Sequence, residues 1–267
     1  MNTLETASAR GALLEMARVI HALILREIAT RFGKQKLGYL WAVLEPVLLV
    51  SILVFIFSVR GRHSLPGIGP GQFFISGIVP FLMFRHGMAR VMSSIVGNKS
   101  LLVFPQVQFL DLALARFLLE VVTSFVIFVV LLTGLHVTGV EEITVRSPLG
   151  VLAAFIMLGL FGLGLGMILG AIAPLFPSVE PISHAVLGRP LFFLSGVFFT
   201  AHMMPSKLRE YLLYNPLLNS IELLRYSLFT PYKEQYYDIP YTLWFLGGLI
   251  FLGLLMLRAL RERILSQ

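Results

Sequence analysis

Phe32-Gly33-Lys34-Gln35-Lys36-Leu37-Gly38-Tyr39-Leu40-Trp41-Ala42-Val43-Leu44-Glu45-Pro46 runs straight into the block Val47 to Phe57, in which Ser51 alone is polar. Arg31, Lys34 and Lys36 suit the cytoplasmic edge of a bilayer, and Tyr39 and Trp41 suit the headgroup level. Glu45 then falls about one turn deeper, where a carboxylate is costly and needs a reason to be there. Pro46 removes a backbone donor and is expected to kink or restart the helix. A helix that enters a membrane through charge, aromatics and a buried acid is expected to do more than anchor.

The rest of the chain agrees with a membrane reading. It is 57% hydrophobic and 13% charged over 267 residues, with mean hydropathy +0.85. Soluble domains carry about 25% charged residues. Cysteine is absent, which excludes disulfides and thiolate metal sites. A net charge of +7 can indicate nucleic acid, but cytoplasmic flanks and anionic lipid explain it better in so apolar a chain. Residues 1–36 carry charges throughout and no uninterrupted apolar core, so no cleavable signal peptide is expected and the N-terminus is expected to stay in the cytoplasm.

Residues 5–31 read as an amphipathic helix, with Leu13, Ala17, Ile20, Ile24 and Ile28 on one face and Glu15, Arg18 and Arg26 opposite. It serves either as a surface anchor or as a docking helix for a cytoplasmic partner. Six spans then follow, at about 37–59, 72–92, 109–137, 148–173, 182–200 and 241–257, giving an all-α polytopic protein with both termini cytoplasmic. This divides the chain into 1–36 and a transmembrane domain, 37–267. Lys and Arg number 14 at inside or inner-half positions against 7 outside, which sets that orientation. Ser93 to Gln108 is expected as a cytoplasmic loop. Gly162, Gly166 and Gly170 recur every fourth residue, and this small-residue face is expected to pack within the subunit rather than form a seam with a second copy. The fifth span is weak, because only Pro190 to Thr200 is cleanly apolar, too short to cross ~30 Å unaided. After it, residues 203–229 alternate helix-like pieces with breakers, notably Asn215-Pro216, and read as two short re-entrant helices.

No catalytic constellation emerges. Gly97-Asn98-Lys99-Ser100 lacks the glycines of a phosphate loop, and the six His have no ligand spacing. Glu141-Glu142 reads as a solvated acid pair. Four features stand out. Glu45 with Tyr39 and Trp41 lines a polar path or forms a headgroup girdle. Arg85 lies deep enough to need an anion, an aqueous cavity or an ion pair, for which Glu45 is a candidate. Asn98 to Phe104, basic and then apolar, suits a short helix pressed into a cytoplasmic protein. Glu222 and Arg225 at i,i+3 pair with each other or line an exit gate.

Arg26-Glu27-Ile28, Arg31-Phe32, Leu37-Gly38-Tyr39-Leu40-Trp41 and Glu45-Pro46 resemble the entry to ABC-2 type exporter permeases. Asn98-Lys99-Ser100-Leu101-Leu102 with Phe104-Pro105-Gln106-Val107, Asp111 and Leu114-Ala115-Arg116 is similar to the capsular polysaccharide branch, related to O-antigen and teichoic acid permeases. Asn215-Pro216 with Ile221-Glu222-Leu223-Leu224-Arg225 resembles the family's outer segment. The resemblance covers nearly the whole chain. It implies a homodimer of six-span subunits in the bacterial inner membrane, joined by two copies of a separate ATPase that binds ATP and magnesium. This chain itself would be no enzyme and hold no cofactor. It implies that residues 5–31 are an interface helix and that Ser94 to Phe104 is a coupling helix, with Arg26, Arg31, Asn98, Lys99, Leu101 and Phe104 facing the ATPase. Met203 to Phe229 would be the outer gate, carrying Asn215, Pro216, Glu222 and Arg225. The cargo would be a lipid-anchored acidic polysaccharide, passed to periplasmic and outer-membrane export proteins.

On that basis Tyr39, Trp41, Phe81 and Phe84 would offer flat faces to sugar rings in a tunnel at the dimer axis. Arg85 and Arg90 would attract an acidic glycan or its anchor phosphate, and Glu45 completes the path. The alternatives are an ABC-2 permease for O-antigen, teichoic acid or a drug, an ATPase-independent channel or secondary transporter, and a membrane enzyme of lipid-linked sugars. The secondary transporter calls for inverted internal symmetry, which the sequence does not display. The enzyme calls for an acid pair or metal site, for which Glu141-Glu142 is a poor candidate.

Overall fold

The computed structural model describes residues 2–32, 36–59, 67–98, 101–102, 107–176, 178–233 and 235–265. They form an all-α chain: α1 (Asn2–Phe32), α2 (Lys36–Val59), α3 (Pro70–Gly97), α4 (Phe109–Val137), α5 (Pro148–Ile172), α6 (Val179–Ser183), a π-helical turn (His184–Gly188), α7 (Arg189–Leu194), α8 (Ser206–Leu212), α9 (Pro216–Leu228), α10 (Ile239–Ala259) and α11 (Arg261–Leu265).

α5 sits at the centre, and its glycines explain why. A Cβ on Gly162 would lie 2.9 Å from Phe84 O, and one on Gly166 would lie 2.8 Å from Met88 O, so this seam takes α3 into backbone contact. Gly170 continues it against Met92. The glycine stripe therefore packs within the subunit, as expected. On other faces Gly164 of α5 meets Leu249 of α10, Gly159 meets Phe117 and Val121 of α4, and Gly150 meets Ser227 of α9. Helices in lipid gain nothing from apolar burial between them, so close backbone approach is what makes such seams stable.

The expected six spans are not found. Among the described residues three helices are long and apolar enough to cross a membrane: α4, α5 and α10. Their most apolar windows are 28%, 67% and 17% buried, so α4 and α10 present apolar surface outward while α5 is sheathed by protein. The other three candidates fail for separate reasons. The apolar stretch of α2 runs over Val43–Phe57, about 22 Å at 1.5 Å per residue, against ~30 Å of hydrocarbon. α3 has the length but carries Arg85, His86 and Arg90, and residues 71–84 are all buried in protein. The fifth candidate, 182–200, is divided among α6, the π turn, α7 and an irregular Ser195–Thr200 segment with Gly196 at φ +77°.

One boundary and one helix face also differ from expectation. α3 continues to Gly97, so Ser93 to Gly97 is helix rather than loop. In α1 the half-buried residues are Met16, Val19, Ile20, Leu23, Ile24 and Glu27, a stripe rotated from the expected one, with Ala17 and Ile28 exposed. The rotation brings Glu27 onto α4, where it has a partner.

Candidate functional site: two polar clusters in an apolar fold

The first cluster is a ladder along α3. Arg85 donates from Nη2 to Glu45 Oε1 of α2 at 2.7 Å, and His86 Nε2 stands 3.4 Å from Glu45 Oε2. His86 Nδ1 lies 3.7 Å from Glu120 Oε1 of α4, whose other oxygen is 2.8 Å from Arg90 Nε. Further along, Arg116 of α4 pairs through Nε with Glu27 of α1 at 3.1 Å. Its Nη1 donates to Ser93 Oγ at 2.7 Å and to Arg90 O at 3.0 Å. Arg26 of α1 donates to Asn98 Oδ1 at 3.2 Å, while Asn98 Nδ2 donates to Ser94 O. One face of α3 thus holds α2 and then α4 through charge, and α1 joins through Arg116 of α4 and through Asn98 just past α3. The Glu45, Arg85, His86 and Arg90 side chains keep 25–35% exposure, whereas Glu120 keeps 4%. Gly188 of the π turn packs beside the Arg85 stem, so that turn closes one side of the pair. Ionisable groups inside an apolar fold persist when paired or when they line an aqueous path, and this group is paired yet open.

The second cluster lies where α9 meets α3. Arg225 and Glu222 are both fully buried, with 3.9 Å between Nη1 and Oε1. Arg225 donates to Phe199 O at 2.8 Å and packs its guanidinium 4.2 Å over the Phe73 ring, with Ser76 Oγ and Val197 O within 3.5 Å. Glu222 accepts from Ala201 N at 3.0 Å and from the Tyr232 hydroxyl. Burial pushes the Glu222 carboxyl above its ordinary range against the pull of the Arg225 charge, and burial together with Glu222 pushes the Tyr232 phenol up as well. The cluster pins residues 197–201, irregular up to the 3-10 turn that starts at Ala201, onto α9 and α3.

Beside it, Glu141 is no solvated acid. Its two oxygens accept from Gly71 N and Gln72 N, each at 2.8 Å, and so cap α3 with a charge at the favourable end of the helix dipole. Gly69 and Gly71 have to be small, since a Cβ on Gly69 would fall 2.0 Å from the Glu141 carboxyl carbon. Arg146 donates to Tyr226 O, Thr230 O and Tyr232 O, fastening the turn after α9.

Of the residues singled out in sequence, Glu45, Arg85 and Arg90 meet in the first cluster and Glu222 and Arg225 in the second. Arg26 and Asn98 bond to each other, and Leu101 stands half-buried in a short turn beyond them. Asn215 caps α9 by accepting from Leu217 N, with Pro216 at the first helical position, and its Nδ2 donates to Leu194 O. Phe81 and Phe84 are a correction. Both rings are fully buried, with Phe81 packed on Phe192 as well as on Phe84, so neither offers a face to a solute in this conformation. Lys99 and Phe104 lie outside the described residues, as do the side chains of Arg31, Tyr39 and Trp41 on their helices.

Glu27, His86, Arg116 and Glu120 were not singled out. The available signal was Arg116 and Glu120 at i,i+4 on an otherwise apolar helix, opposite a second helix with charges at 85, 86 and 90. Among the described residues no three His, Asp or Glu side chains gather closely enough to hold a metal ion.

The amino-acid sequence is similar to those of known proteins. The chain is 32% identical to the polysialic acid transport protein KpsM of Escherichia coli over 93% of its length and 95% of that protein's. It is 31% identical to the capsule polysaccharide export inner-membrane protein CtrC of Neisseria meningitidis serogroup A, covering 89% of this chain and 90% of the relative. With BexB of Haemophilus influenzae, named as the same kind of protein, identity is 28% over 97% of each. The ABC-2 type transporter family model matches residues 18–229, from within α1 to just past α9. An all-α, multi-pass membrane chain with a paired charge ladder and end-to-end similarity to polysaccharide export proteins, it belongs to the ABC-2 type transporter family.

Proposed function

We propose that the chain is the membrane permease subunit of an ATP-driven exporter that moves a lipid-anchored acidic polysaccharide of the capsular type out of the cytoplasm. It works as a homodimer in the bacterial inner membrane with two copies of a separate ATPase, which supplies ATP hydrolysis, and hands its cargo to periplasmic and outer-membrane export proteins. The observation that carries this reading is similarity across nearly the full chain to proteins named for polysialic acid transport and capsule export.

In this reading α1 and the Asn98 region receive the ATPase stroke, with Arg26, Arg31, Asn98, Lys99, Leu101 and Phe104 as the residues that face the ATPase. The stroke reaches α2 through the charge ladder, because displacing α1 or α4 strains Glu27–Arg116 and then Glu120–His86–Glu45. Tyr39, Trp41, Glu45, Arg85 and Arg90 line the cargo path. Asn215, Pro216, Glu222 and Arg225 set the far gate. Deleting the gene should remove one surface glycan, and the wild-type chain should restore it. Arg85→Ala should co-purify with its ATPase at the wild-type ratio yet restore little glycan. Normal surface glycan in the deletion strain would end the export reading. Normal export by Arg85→Ala would end the role given to the ladder.

A further inference from the structure

At the Glu141 end of the molecule a cleft of about 520 Å3 opens between α8, the start of α9 and residues 235–241. Four tyrosines, Tyr214, Tyr236, Tyr237 and Tyr241, converge on it together with Glu210 and Asn219. Its walls are fixed from behind. Asn219 Oδ1 accepts from Asp238 N at 2.8 Å while its Nδ2 donates to Leu213 O at 2.6 Å. The Tyr241 hydroxyl donates to Tyr214 O at 2.8 Å, and Asp238 caps Tyr241 N at 2.9 Å. The Tyr236 ring is held by the Arg209 guanidinium, 4.5 Å from its centroid, and stacks near His202. What the wall leaves over is specific. Among the described residues no hydrogen bond is taken by the Tyr214, Tyr236 or Tyr237 hydroxyls or by the Glu210 carboxylate, and Tyr214 is 70% exposed.

The occupant follows from this chemistry. Flat rings rimmed by hydroxyls, with a carboxylate beside them, match a sugar ring, which has apolar C–H faces and a rim of hydroxyls that donate and accept. A simple anion would meet Glu210 and Asp238, with Arg209 already engaged on Tyr236. An acyl chain suits instead the other cleft, between α4 and α5, where Phe125, Val129, Leu132 and Val151 dominate the lining. Pre-formed pockets with a few converging polar groups are the usual form of small-ligand sites. We propose that the tyrosine cleft is a saccharide subsite, occupied by the ring and hydroxyls of a sugar unit of the polymer, with any acidic group turned out of the cleft away from Glu210 and Asp238, as it leaves the permease. This rests on the export function proposed above.

The cysteine-free chain makes the test direct. Leu213→Cys lines the cleft, and Tyr211→Cys, two residues earlier in the last turn of α8, lies at a position outside the lining that is 75% exposed. Each is reacted with a water-soluble maleimide in the permease–ATPase complex in nanodiscs, with a sialic acid oligomer, a hyaluronan fragment or maltohexaose. At twice the dissociation constant a bound oligosaccharide slows labelling of Leu213→Cys about threefold. Tyr211→Cys should not change, and adding Tyr236→Ala should abolish the protection. Saturation-transfer NMR on the complex of the unsubstituted chain, with Tyr236→Ala as its control, reads the same contact if Leu213→Cys does not assemble. No protection or transfer with any of the three sugars overturns the subsite, as does equal protection by glycerol or equal protection of Tyr211→Cys. If deletion of the gene removes surface glycan while the cleft binds no sugar, the subsite falls and the export function stands. If deletion leaves surface glycan intact, the export function falls whatever the labelling shows.

Discussion

Gly166→Ala adds one methyl against the α3 backbone in the central seam, and its effect can be worked out from neighbouring atoms. The new Cβ would sit 2.6 Å from Val91 Cβ and 2.8 Å from Met88 O. Val91 is fully buried and Met88 O is backbone, so neither can rotate aside and α3 and α5 must move apart. Overpacking of this kind costs about 1–3 kcal/mol. Against it stands the helix propensity of alanine, worth about 1 kcal/mol over glycine. Gly134 on α4 isolates the packing contribution, because nothing lies within 4 Å of its Cβ position and it too is in a helix. Gly134→Ala should therefore be neutral or stabilising. The propensity gain cancels between the two variants, leaving a gap of about 1–3 kcal/mol set by packing alone. Unfolding of both variants and the wild type in one lipid nanodisc composition measures it. Were Gly166→Ala as stable as Gly134→Ala, the close α3–α5 seam, and with it the central place of α5, would be refuted.

Two further outcomes follow from the polar contacts. Arg225→Met keeps most of the side-chain volume but leaves the Glu222 carboxylate buried without its cation, at a cost of about 3–5 kcal/mol. Glu222→Gln in the same background should recover part of that loss, and a double-mutant cycle showing no coupling would sever the two residues. Glu141→Ala removes the cap of α3 and should cost about 1 kcal/mol, with faster hydrogen exchange at Gly71 and Gln72 than elsewhere in the helix. Unchanged exchange at those two amides would return Glu141 to a solvated role.

The amino-acid sequence by itself determined the helical class, the membrane setting and the family, because long apolar runs, charged flanks and residue motifs are local properties. It marked Asn215-Pro216 as a break between helical pieces; the structure makes that break the start of α9, where proline has no N–H to leave unsatisfied and asparagine accepts from Leu217 N. It also indicated that Gly162, Gly166 and Gly170 form a packing face. Tertiary structure alone decided which apolar helices are sheathed by protein and which present their surface outward. In a membrane protein the surface toward lipid and the surface toward protein are equally apolar, so hydropathy does not distinguish buried α3 from outward-facing α4. The same ambiguity left Phe81 and Phe84 as channel candidates until their burial against Phe192 was seen. Depth in the helix already offers Glu45 to Arg85, but periodicity does not choose the other partners. Glu120 and Glu27 lie on different helices, and only the packing of α1, α3 and α4 gives them Arg90 and Arg116.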